Sequence, residues 1–98
     1  MPLDSDVRLA VEKNIDEILK DPEGFLKTFQ MALWEMGIQP NLEAILAHIT
    51  GHLIGIANGV NLIKHERLLT PSELKELADI LRRRAWEMRQ EFIKALHK

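Results

Sequence analysis

Two stretches of the chain carry apolar residues at alternating steps of four and three. Leu42, Leu46, Ile49, Leu53, Ile56, Val60 and Ile63 make the first, and Leu74, Ala78, Leu81, Ala85, Met88, Phe92 and Ala95 the second. The spacing averages 3.5 residues, which keeps one side of a helix turned toward a partner along its whole length. Two long helices with matched seams, joined around residues 68–70, predict an antiparallel hairpin.

The helix ends are written in capping residues. Thr70-Pro71-Ser72-Glu73 reads as a capping box with Pro at the first helical position. Asn41 after Pro40 opens the preceding helix, which the pattern carries to about Arg67. Upstream, Asp4 or Ser5 starts a helix to about Lys20 with Val7, Ala10, Val11 and Ile18 on its apolar side. Asp21-Pro22 starts another, carrying Phe25, Phe29, Ala32, Leu33 and Met36 to a stop at Gly37; Gly24 weakens its first turn. No strand-like alternation, repeat or linker interrupts this pattern. The expected fold is all-α: one four-helix bundle-like domain over residues 1–98, with two shorter N-terminal helices and a long C-terminal antiparallel hairpin.

Composition narrows the chemistry. The 98 residues include no cysteine, which excludes disulfides, thiolate metal sites and thiol nucleophiles. The start, MPLDSDVR, lacks the basic and apolar regions of a secretory signal, and a cytoplasmic location is expected. Residues 1–63 carry four Lys/Arg against nine Asp/Glu and residues 64–98 nine against six, so an acidic front is expected to pack on a basic back.

Residues 48–59, HITGHLIGIANG, concentrate the candidate function. On one helix His48, His52, Gly55 and Gly59 form a stripe beside the hydrophobic seam, with Gly51 further round. Glycine inside a helix costs about 0.8–1 kcal/mol relative to Ala, so close approach of another helix is the expected compensation. That helix is the first or second of the same chain, or the third of another copy. Asn58-Gly59 also reads as a helix stop, against which the unbroken seam argues. Trp34, Ile54, Leu62, Trp86 and Ile93 lie off the seams and ask for a second buried face. A homo-oligomer is therefore expected, with a dimer favoured and Gly51, Gly55, Gly59, His52, Trp86 and Ile93 at its interface. Residues 44–63 lack formal charge and are long enough to span a bilayer, but their polar residues and amphipathic neighbours favour the centre of a soluble assembly.

Other constellations compete. His48-x-x-x-His52 puts two imidazoles on one helical face, half of a tetrahedral divalent-metal site, with His65, His97 or a second subunit needed for the rest. The favoured expectation for the pair is instead that the two imidazoles hydrogen-bond within a packed seam and that acid loosens it. Arg82, Arg83, Arg84 and Arg89 form the best basic patch for a nucleic acid, but Asp79 and Glu87 at helical spacing make a salt-bridged face the simpler reading. Glu76-Leu77-Ala78-Asp79 resembles half of the acidic magnesium motif of MazG-type nucleotide pyrophosphohydrolases, which are all-helical and oligomeric. The resemblance spans one helical turn and implies a second acidic pair on the preceding helix, where only Glu43 and Glu66 are available. No nucleophile elbow or phosphate loop is present. A non-catalytic assembly module is the leading expectation, a metal- or small-ligand-binding protein the second, and a nucleic-acid accessory protein the third.

Overall fold

The computed structural model describes residues 2–97, and these fold into α1 (Ser5–Lys20), α2 (Pro22–Glu35), α3 (Leu42–His65) and α4 (Pro71–Leu96). The described residues are all helix and connection, with no strand.

Each start is capped by the residue its sequence nominates. Asp4, Asp21, Asn41 and Thr70 accept the backbone N–H of Asp6, Gly24, Ala44 and Glu73, each relieving one of the free amides of a helix N-terminus. The capping box at Thr70 is complete, because the Glu73 side chain also accepts the Thr70 N–H at 2.8 Å. Gly24 is not simply a weak residue: a Cβ there would collide with the Asp21 carboxylate that caps the helix. Gly37, at φ 75°, closes α2 in the left-handed conformation, and Ile38 N–H reaches back to the Leu33 carbonyl at 2.9 Å.

α3 runs through Asn58-Gly59 without a break. Asn58 secures the turn instead of stopping the helix, and Asn61 joins it there. Asn58 accepts the Leu69 N–H at 3.0 Å, and buried Asn61 donates to the Arg67 carbonyl at 2.9 Å. Glu66 then turns the chain with φ 56°, its N–H held by the Leu62 carbonyl. Far from that turn, Arg89 of α4 meets Glu43 in the first turn of α3 at 2.8 Å.

α1 packs on both members of this pair, most extensively on α3. Its start pairs with the end of α3, through Asp4 with His65 at 2.8 Å and Asp6 with Lys64 at 2.6 Å. Further along, Arg84 of α4 clamps Glu12 at 3.3 Å and Asp16 at 2.8 Å. The acidic front and basic back thus meet within one chain. α2 contacts α3 and α4 and, beside their junction, α1.

The core departs from the predicted seams in a systematic way. On α3 the buried residues are Ile45, Ile49, Leu53, Ala57 and Asn61, a row at steps of four. Leu46, Ile56 and Val60 are only half-buried, and Ile63 is 84% exposed. On α4 burial falls on Glu73, Leu77, Ile80, Leu81, Met88 and Phe92, while Leu74 and Ala85 are exposed. The reason is the number of neighbours. A two-stranded seam faces one partner, whereas here α3 and α4 are rotated so that each also buries against α1 and α2. Val7, Val11, Ile15 and Ile18 of α1 and Leu26, Phe29 and Leu33 of α2 complete the core. Each fully buried aliphatic or aromatic side chain contributes about 1.5–3 kcal/mol of burial free energy.

Candidate functional site

A helix turns about 100° per residue, so a row shifted by two residues lies nearly opposite. Opposite the buried row of α3 runs Ala47, Gly51, Gly55, Gly59 and Ile63, and all five are exposed. Nothing lies within 4 Å of where a Cβ would stand at Gly51, Gly55 or Gly59. Packing of the glycines against α1 or α2 is therefore ruled out within the protomer: they face outward as a strip of bare backbone. Their cost, about 0.8–1 kcal/mol each against Ala, goes uncompensated in the single chain.

The strip is flanked by two hollows. On the α4 side Thr50, Ile54, Leu74, Leu77, Ala78, Leu81, Arg82 and Ala85 line an almost wholly apolar groove. Thr50 in this lining closes its own hydroxyl onto the Leu46 carbonyl at 2.8 Å. On the α2 side Asp21, Gly24, Phe25, Thr28, Phe29 and His52 line the second hollow. α3 is also the one described helix long and apolar enough to cross a membrane, although its inner row belongs to the core.

His48 and His52 sit on this second flank, beside the glycine row. Both stand against one ring: Phe29 meets His48 edge-on at 5.1 Å between centroids and His52 at 6.4 Å. Phe29 is itself held by Phe25 at 5.9 Å. His48 is half-buried and His52 exposed, so the imidazoles are aromatic neighbours at a surface, and the predicted hydrogen-bonded buried seam is not what forms. Among the described residues no three His, Cys, Asp or Glu side chains gather as a metal site. His65 is engaged by Asp4 at the opposite end of α3.

The other interface residues do not join this face. Trp86, 67% exposed, lines a separate hollow with Leu19, Glu87, Gln90 and Glu91, and Ile93 is half-buried on α4. Trp34, 70% exposed, stands with Gly37, Ile38 and Gln39 at the end of α2.

The arginine run is divided among carboxylates. Arg82 pairs with Asp79 at 2.8 Å, Arg83 donates to the Asp79 carbonyl, Arg89 reaches Glu43, and Arg84 spans Glu12, Asp16 and Glu87. Asp16 above all holds the Arg84 guanidinium above its ordinary pKa. Glu76 and Asp79 are likewise taken: Glu76 accepts the Leu3 N–H at 2.7 Å and faces Arg8 at 3.6 Å, and Asp79 holds Arg82. Glu43 lies with Arg89 and Glu66 in the hairpin turn, so the second acidic pair implied by the pyrophosphohydrolase resemblance does not assemble.

Two carboxylates are strongly stabilised in their charged form. His65 first, then the Asp6 N–H and Lys64, hold Asp4 well below the usual carboxylate range. Arg67 first, then the Thr70 N–H, bring Glu73 from 4.5 to about 2. These clusters tie α1 to α3 and α3 to α4. Neither cluster follows from the helical pattern, and the one sequence signal for the second is the spacing of six between Arg67 and Glu73 across the turn.

Comparison with protein-family models, with curated proteins and with solved structures finds no match.

Proposed function

We propose that this chain is a non-catalytic helical assembly module that pairs with a second copy of itself through the outer face of α3. The observation that carries this reading is the outward glycine row: three helical glycines at steps of four, each open to solvent, in a stretch of α3 with no formally charged side chain from residue 44 to 63. A single chain gains nothing from bare backbone there. A second helix would, because removing side chains lets two backbones approach and exchange dispersion contacts along the strip. The apolar groove beside Ile54 and Leu74 extends the surface that such an approach would cover.

Light scattering of the purified protein across concentration tests the reading. A dimer that Gly55→Leu converts to a folded monomer, by unchanged circular dichroism, supports it. An oligomer unaffected by Gly55→Leu, or a wild-type chain monomeric at all concentrations and metal conditions, overturns it.

A ligand-binding role for His48 and His52 is favoured by one specific observation, their shared contact with Phe29 beside an open hollow. The engagement of Arg82, Arg84 and Arg89 by carboxylates argues for a salt-bridged surface over a nucleic-acid interface.

A further inference from the structure

We infer that His48 and His52 are half of a divalent-metal site that a second copy of the chain completes across the glycine face of α3. The inference rests on the assembly reading above and adds a ligand to it. Two imidazoles four residues apart on a helix are neighbours, and here both stand beside one aromatic ring, Phe29. Two nitrogens satisfy half of a tetrahedral zinc ion, and no third ligand from the described residues of the same chain joins them.

Symmetry supplies the other half. When two α3 helices pair antiparallel about a twofold axis normal to the plane that contains them, residues on one flank of each helix end on the same side of the pair. The histidine row flanks the glycine row. An axis passing near Gly51 therefore brings His48 and His52 of one chain to the same pair in the other. Ordinary helices pack about 8–10 Å apart, and glycine contacts bring them closer, so imidazoles from both sides can reach one ion. The occupant is a second copy because α3 carries no formal charge between residues 44 and 63, so an antiparallel self-pairing of the two helices sets no like charges of α3 against each other. The ligand class is a borderline divalent cation that favours imidazole, such as Zn²⁺. Formation of the site would fix the register that a smooth glycine strip leaves free.

Sedimentation velocity in EDTA and in Zn²⁺, with Co²⁺ as a spectroscopic probe, tests this. Zn²⁺ held at about a hundred times the dissociation constant of the site is expected to tighten the dimer about a hundredfold. Co²⁺ should give the intense visible bands of tetrahedral coordination at one ion per two chains. His52→Ala should abolish the metal effect, so that the variant's association constant is the same in EDTA and in Zn²⁺. His65→Ala should preserve the effect, separating this site from the Asp4–His65 pair. Equal tightening in His52→Ala, weak octahedral Co²⁺ bands, or one ion per chain would overturn the metal site. A dimer indifferent to metal removes the site but leaves the assembly reading intact, whereas a chain monomeric in EDTA and Zn²⁺ alike removes both.

Discussion

Arg67 donates to Glu73 at 2.7 Å, and the same carboxylate oxygen accepts the Thr70 N–H at 2.8 Å. One side chain, 2% exposed, thereby neutralises a guanidinium, caps α4 and anchors the turn that reverses α3 into α4.

This arrangement sets the response to acid. Both Asp4 and Glu73 bind protons less readily in the folded chain than when unfolded, so their stabilising contribution is complete above their ordinary pKa values. For Glu73 it should be lost as pH falls from 4.5 toward about 2. Thermal melts across that window are expected to show a falling midpoint. Glu73→Gln should lower the midpoint at neutral pH and flatten the fall. Parallel curves for the wild type and Glu73→Gln would contradict the assignment.

The hairpin turn also depends on the two asparagines. Asn58→Ala strands the Leu69 N–H, which Asn58 accepts at 3.0 Å, and is expected to cost about 1–3 kcal/mol. Urea denaturation would read this as a lower midpoint at unchanged slope. A loss within about 0.5 kcal/mol, typical of an indifferent surface substitution, would mean the turn does not need that bond.

The arginines should separate by position. Arg84 is 19% exposed at its side chain and stands between two carboxylates of α1 and Glu87, whereas Arg82 is exposed and pairs within its own helix. Arg84→Ala is expected to destabilise by about 1–2 kcal/mol, and Arg82→Ala by no more than about 0.5 kcal/mol. Chemical denaturation of both variants checks the order, and equal losses would refute it.

How much of this was legible follows from how local each signal is. Thr70 and Glu73, or Asp21 and Pro22, act within one turn of helix, so the caps and the four elements could be read directly. The buried face of α3 could not, because Leu42 to Ile63 supports both a seam at 3.5 residues and a row at four. Only the placement of α1 and α2 selects Ile45 and Ala57 over Leu42 and Ile63. The same applies to the site. The sequence marks Gly51, Gly55 and Gly59 as needing an explanation, but their outward direction depends on that rotation. Asn58, with Gly59, reads as a helix stop until the turn it binds, eleven residues downstream, is in place.

The glycines offer the sharpest test, because fold and assembly pull them in opposite directions. An alanine methyl at Gly51 or Gly59 would meet nothing in the protomer, so it should stabilise the single chain by about 0.8–1 kcal/mol through helix propensity alone. At a close helix crossing the same methyl pushes two backbones apart. The double variant Gly51→Ala/Gly59→Ala is therefore expected to melt higher at concentrations where the chain is monomeric, yet to dimerise more weakly. Melting and sedimentation across concentration measure both quantities on one preparation. A rise in stability with undiminished association would mean that no helix lies across this strip, and the assembly face would have to be sought at Trp34 or Trp86 instead.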